Sequence, residues 1–221
     1  MTKKFLLLIV CGFFLLDLNA ENLQIKLPEP IKKSNVSIEK ALENRRSIRS
    51  YSSMPVNLEE LSQLLWAAQG VTNRKGFRTA PSAGALYPLK LYVVVENVKN
   101  LEKGIYMYKP EGHKLIKIKS NTNIEKIYKG ALNQQSIKDA SVNIIFGADF
   151  SVTDKKYRKR GKQYVYQETG HAAQNIYLQS ESLNIGTVVV GAFYEEQIKK
   201  AAGMGDNETP ICIMPAGKVN D

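Results

Sequence analysis

The sequence predicts one α/β or α+β domain in which a mixed sheet is wrapped by helices. Two apolar runs, Leu89–Val95 and Val142–Ala148, have strand length and too few polar positions for a solvated face, so both read as buried strands. Two alternating segments, Gly104–Tyr108 and Lys114–Ile118, flank KPEGH and read as a hairpin. The chain has 221 residues, 43% of them hydrophobic, enough for one domain with a real core. No internal repeat or second domain is visible.

The N-terminus reads as an export signal over residues 1–20: Lys3 and Lys4, the apolar run Phe5–Leu16, then Leu18-Asn19-Ala20. That run of 12 residues is short for a membrane span, so cleavage is favoured over an uncleaved anchor. Cys11 follows Val10, a poor residue before a lipid-modified cysteine. With the signal removed only Cys212 is left, which excludes an internal disulfide and predicts a buried thiol. Residues 21–36, with Pro28 and Pro30, read as a linker or surface arm, and the folded unit spans 37–221. Ser37 caps a helix over Ile38–Asn44. Asn57 and Glu60 form a capping box for a second, with Leu61, Leu64, Leu65 and Ala68 on its buried face, Trp66 beside them and Gly70 at its end. His113, in the hairpin turn, is expected at the surface. Helices follow over Ile124–Leu132, Tyr164–Leu183 (ended by Gly186) and Glu195–Ala202, with strands over Thr187–Val190 and Ile211–Ala216.

The formal net charge is +10, which raises nucleic acid or an anionic membrane as partners. The charges are scattered, apart from Lys155-Lys156-Tyr157-Arg158-Lys159-Arg160 with Lys162, and no nucleic-acid module is present. Membrane contact is expected only through the N-terminal segment. No GxGxxG follows a strand, so no resident dinucleotide fold is predicted.

Five stretches carry chemistry. RRSIRSY (Arg45–Tyr51) puts three guanidiniums within five residues at a helix end; Arg45, Arg46, Ser47 and Arg49 could seat a phosphate, or form a solvated charge run. PSAGALYP (Pro81–Pro88) offers small residues before a buried strand, either a plain connection or a backbone that a flat ligand can approach. ETGHAAQN (Glu168–Asn175) sets Glu168, His171 and Asn175 on one helical face, as a buried network or a dimer seam. A metal at His171 is disfavoured without a second histidine or cysteine nearby, and the residue reads as structural. GTVVVGAF (Gly186–Phe193) and PAGK (Pro215–Lys218) complete the set.

In this order and at these separations the motifs resemble the FMN-dependent nitroreductase family, in particular its SagB-type dehydrogenase branch, over about Ser37 to Lys218. The resemblance implies the α+β nitroreductase fold, a central mixed or antiparallel sheet surrounded by helices, in an intertwined homodimer with two sites at its interface. It implies that Arg45 and Ser47 hold the FMN phosphate, that Arg49 lies near the pyrimidine end of the flavin, and that Lys218 completes the phosphate site. Ser82, Gly84 and Tyr87 would pack on the isoalloxazine ring, often of the partner subunit's FMN. Backbone N–H groups of Val190 and Gly191 would face flavin N5. Within the branch, azoline oxidases carry a Lys-Tyr pair shortly before this helix as a base, and Lys156-Tyr157 occupies a comparable place. The implied activity is ping-pong hydride transfer through N5, from NAD(P)H or another donor to an unidentified small-molecule or peptide acceptor. Oxidation of a thiazoline or oxazoline in a modified peptide, and an exported flavin holder without turnover, are the alternatives.

Overall fold

The computed structural model describes residues 23–219, and the expected export segment with Cys11 lies outside the described residues. The elements run in order β1 (Gln24–Lys26), α1 (Ile38–Asn44), β2 (Val56–Asn57), α2 (Leu58–Gln69), β3 (Leu89–Val95), β4 (Val98–Lys99), β5 (Gly104–Lys109) and β6 (Lys114–Lys119). They continue through α3 (Ile124–Gly130), α4 (Gln135–Asp139), β7 (Val142–Ala148), α5 (Phe150–Tyr157), α6 (Gly161–Leu183), β8 (Ile185–Thr187), α7 (Glu195–Ala202) and β9 (Thr209–Lys218). Seven strands form one sheet in the order β1-β6-β5-β3-β7-β9-β8, and every pairing in it is antiparallel. The mixed character is confined to a separate, two-residue parallel pair of β2 and β4.

Alternate residues of the central strands enter two cores. Val93, Val95, Ile144, Phe146 and Met214 face α2 and α6, where they meet Leu61, Leu64, Leu65, Val165 and Ile176. Tyr92, Val94, Ile145 and Ile213 face α3 and α7, against Ile127, Ile198 and Ala202. Both faces are covered, which is why β3 and β7 read as continuous apolar runs. Cys212 is buried in the first core, and desolvation pushes its thiol up to about 12.

Local signals fix the helix starts. Ser37 Oγ accepts the Lys40 N–H at 3.2 Å, and Glu60 Oε2 accepts the Asn57 N–H at 2.8 Å. Three boundaries differ from expectation. The third helix stops at Gly130, because Leu132 and Asn133 turn left-handed. Asn184, at φ 52°, caps α6 in place of Gly186, which lies inside β8. The strand expected over Thr187–Val190 is instead Ile185–Thr187, followed by a lone bridge from Val190 to Ile213.

The N-terminal arm is also more ordered than a linker: β1 pairs with β6 at the sheet edge. Leu27 is buried, and the chain after it crosses His113. That histidine is not solvent-exposed as expected. Its Nε2 lies 2.6 Å from Ser62 Oγ and 3.0 Å from the Pro28 carbonyl, and its Nδ1 lies 2.8 Å from Tyr108 Oη. Burial lowers its pKa below the ordinary 6.5. The neutral ring therefore stabilises the fold above that value, and the contribution is lost as pH falls below 6.5. His113→Gln is expected to flatten this part of the pH dependence. The check is the difference in melting temperature between parent and variant from pH 7 to pH 5; a difference constant with pH would remove the assignment.

Candidate functional site

Two clusters form along α6. The first surrounds its C-terminal half. Arg45 leaves helical geometry as the C-cap of α1, and the chain then runs extended along the ends of β8 and β9. The Ile48 N–H donates to the Thr187 carbonyl at 2.9 Å and the Ser52 N–H to the Lys218 carbonyl at 2.8 Å. Two glycines permit this approach. A Cβ on Gly186 would stand 2.7 Å from Ile48 Cγ2, and one on Gly217 would stand 2.8 Å from Tyr51 Cβ.

Tyr177 gathers the segment. The Arg45 guanidinium lies 5.2 Å from its ring centroid, Ser47 Oγ is 3.1 Å from its Oη, and the Val189 N–H donates to that Oη at 2.8 Å. Arg46 turns back to the carbonyls of Glu43 and Arg45, at 3.0 and 2.8 Å. Among the described residues no carboxylate pairs with Arg45, Arg46 or Arg49. A guanidinium without a counter-charge that shares Tyr177 with a serine hydroxyl, with Arg46 and Arg49 adjacent in the chain, suits a phosphate. Lys218 differs. Its ammonium is paired with Glu60, both side chains being largely enclosed, so it braces β9 against α2. Val190 is buried and spends its N–H and carbonyl on Ile213, at 2.8 and 2.9 Å. Gly191 lies beyond this bridge at the surface, and a Cβ there would meet nothing within 4 Å.

The second cluster lies at the N-terminal half of α6. Gly84, Ala85 and Tyr87 all have positive φ, at 63°, 54° and 49°. The conformation is free for glycine and costs each of the other two about 1–2 kcal/mol. Local bonds hold it. The Tyr87 N–H donates to Ser82 Oγ at 2.9 Å, and the Arg78 N–H donates to Tyr87 Oη at 3.2 Å. The Arg78 guanidinium lies 4.3 Å from the Tyr87 ring centroid and binds Gln69 and Glu111, each at 2.9 Å.

Lys156 and Tyr157, the last residues of α5, close on this loop. A Cβ on Gly84 would stand 2.7 Å from Lys156 Nζ and 2.8 Å from Tyr157 Oη. The Tyr157 ring in turn meets Tyr164 of α6 edge-on at 5.0 Å. Motifs more than seventy residues apart are thus in contact. Gly84→Ala is expected to cost about 1–2 kcal/mol through its positive φ alone, read as a fall in urea midpoint. An unchanged midpoint would mean the loop relaxes freely.

The polar face of α6 divides. Asn175 Nδ2 donates to the carbonyls of Ala67 and Thr79, at 3.0 and 3.3 Å, a structural role. His171 is exposed, outside any buried network. Glu168 is only 3% exposed, and its Oε1 has no partner. Burial pushes its carboxyl up to about 7, although Ser82 and Arg78 act in the other direction. The neutral acid therefore stabilises the fold at low pH, and that contribution is lost as pH rises through about 7. Tyr177 and Tyr164 are site residues that sequence reasoning left unassigned, and Glu168 was read only as part of a buried network or dimer seam. The only available signal was a set of aromatic and acidic positions on a helix otherwise packed in the core.

The family model described as the nitroreductase family matches residues 42–218. A Methanocaldococcus jannaschii protein named as a nitroreductase is 41% identical over 198 residues, which cover 90% of this chain and 98% of that protein. The microcin B17-processing protein McbC of Escherichia coli is 25% identical over 151 residues, 65% of this chain and 55% of McbC. Among solved structures, a nitroreductase-named protein of Ralstonia eutropha superimposes with a TM-score of 0.80 at 27% identity, covering 92% of each chain.

Proposed function

The chain belongs to the nitroreductase family, and we propose that it is an FMN-dependent oxidoreductase that passes hydride from a donor such as NAD(P)H to a separate acceptor. The observation that carries this reading is the Arg45–Ser47–Tyr177 cluster, where a guanidinium without a carboxylate partner and a serine hydroxyl meet on one tyrosine. FMN, when bound, supplies a two-electron carrier that accepts and returns hydride. The chain's own residues do the rest. Arg45 and Ser47 hold the phosphate, with Arg46 and Arg49 adding positive field and Tyr177 fixing both side chains in place. The Gly191 N–H, free of the bridge that occupies Val190, is available to the ring edge. The small residues around Ser82 and Gly84, with Tyr87, form a wall that a planar group can approach.

Glu168 and Tyr177 are nine residues apart on α6, about 13 Å at the helical rise. We assign the two clusters to different flavins of a homodimer, each flavin bound by one protomer and covered by the loop of the other. Residues 1–20 we read as an export signal, with an anchor over 5–16 as the alternative.

A second reading is oxidation of an azoline in a modified peptide. The contact of Lys156 and Tyr157 with Gly84 favours it, since it puts a base pair against the same loop, and one relative is by name a microcin B17-processing protein. The deciding experiment is anaerobic absorption spectroscopy of the purified protein after addition of FMN and then NADPH. A bound flavin that bleaches supports the first reading, and one that stays oxidised until a thiazoline peptide is added supports the second. Failure to bind flavin overturns both.

A further inference from the structure

A cavity of about 260 Å³ lies between the loop at Pro81, Ser82 and Ala83 and the α6 residues Tyr164, Glu168 and His171. Glu168 is the unusual group in its wall. The other enclosed carboxylates among the described residues have partners: Glu60 has Lys218, Glu96 has Lys103, and Glu208 has Lys90 with Tyr92. Glu168 makes no ion pair, and its enclosed Oε1 has no hydrogen-bond partner; Ser82 alone acts on the carboxyl as a donor. A residue kept only for bracing would gain nothing there from being an acid, since glutamine fills the same space and stays neutral at every pH. An acid in this position can give up a proton.

The surroundings suit that use. Ser82 Oγ accepts the Tyr87 N–H, which leaves its own hydrogen free toward the carboxyl. Arg78, tethered to Gln69 and Glu111, favours the carboxylate left after the proton departs. Tyr164 and His171 flank Glu168 on α6, Tyr87 stands behind the loop, and Lys156 and Tyr157 lie across it at Gly84. We propose that Glu168 is the proton donor of the site, delivering its carboxyl proton to the carbonyl, nitro or imine heteroatom of an acceptor lodged in this cavity. The proposal rests on the oxidoreductase reading above. In balance, the acceptor's unsaturated bond takes hydride from the reduced flavin at one atom and the Glu168 proton at the other. Its π bond is replaced by two single bonds to hydrogen, the flavin returns oxidised, and the carboxylate regains a proton from water at the cavity mouth. Burial, which holds the acid near pH 7, matches it to this work.

The test uses the full chain loaded with FMN and, as acceptor probe, a nitroaromatic such as nitrofurazone. Acceptor reduction in the parent is expected to fall above a midpoint near pH 7, because the donor must be protonated. Glu168→Gln is expected to lose that limb and to turn over about a hundredfold more slowly, and Glu168→Asp to retain the limb. Independently, carbon-13 carboxyl spectra of flavin-free protein labelled at glutamate should show one resonance titrating near 7 that Glu168→Gln lacks. A variant with the parent's rate and pH limb overturns the proposal while leaving the oxidoreductase reading intact. So does a resonance at Glu168 that titrates in the ordinary carboxylate range. A parent that binds no FMN removes the underlying reading and the proposal with it.

Discussion

Arg45→Glu is expected to weaken FMN binding by about a hundredfold or more. Loss of charge-assisted bonds to a phosphate costs about 1.5–3 kcal/mol, or roughly ten- to a hundredfold in affinity. The carboxylate then adds repulsion of about 1–4 kcal/mol at contact distance, depending on local screening. Arg46, turned back onto carbonyls of its own helix end, and Lys218, which already holds Glu60, are poorly placed to absorb that charge; Arg49 can offset part of it. Riboflavin, the same ring without the phosphate, provides the control. Its affinity should change only a few-fold, so that parent and variant differ for FMN alone in a fluorescence titration. Equal losses for both ligands would move Arg45 from the phosphate to the fold.

Lys156→Met should separate the two chemistries. With a thiazoline peptide as donor, removal of the base is expected to slow flavin bleaching by about a hundredfold to ten-thousandfold. With NADPH the rate should stay within a few-fold, because delivery of hydride needs no base. Tyr157→Phe is the companion variant, since it keeps the edge-on packing against Tyr164 and removes only the hydroxyl beside Gly84. A loss of similar size with both donors would identify the pair as a support for the loop.

What the sequence disclosed, and what it concealed, follows from the range of the interactions. The starts of α1 and α2 were legible because the caps that create them lie within three residues. The central strands were legible because helices cover both sides of the sheet, so nearly every position is apolar, Lys90 and Asn143 being the exceptions. β1 could not be read: three residues with one apolar position become a strand only when β6 is beside them. His113 was misplaced for the same reason, since an arm from a distant part of the chain buries it. A glycine following a helix normally marks its end, but Asn184 takes that duty while Gly186 makes room for Ile48. In the site, the arginine run and the small-residue loop announce themselves by composition. Tyr177 does not, because a tyrosine on a core helix looks the same whether it packs or organises three segments.

α6 also acts as a ruler. The residues that gather around Glu168 and those that gather around Tyr177 hang from one uninterrupted helix, so their angular phase is set by the number of residues between them. Insertion or deletion of a single residue there would turn one cluster by about 100° against the other and shift it by about 1.5 Å. No compensating change at a loop could restore the phase. Length variation among proteins built on this plan should therefore be barred from the 168–177 stretch and tolerated in surface connections such as the exposed turn at 73–76, closed off by the Val71–Arg78 bridge, where an added residue leaves both clusters in step.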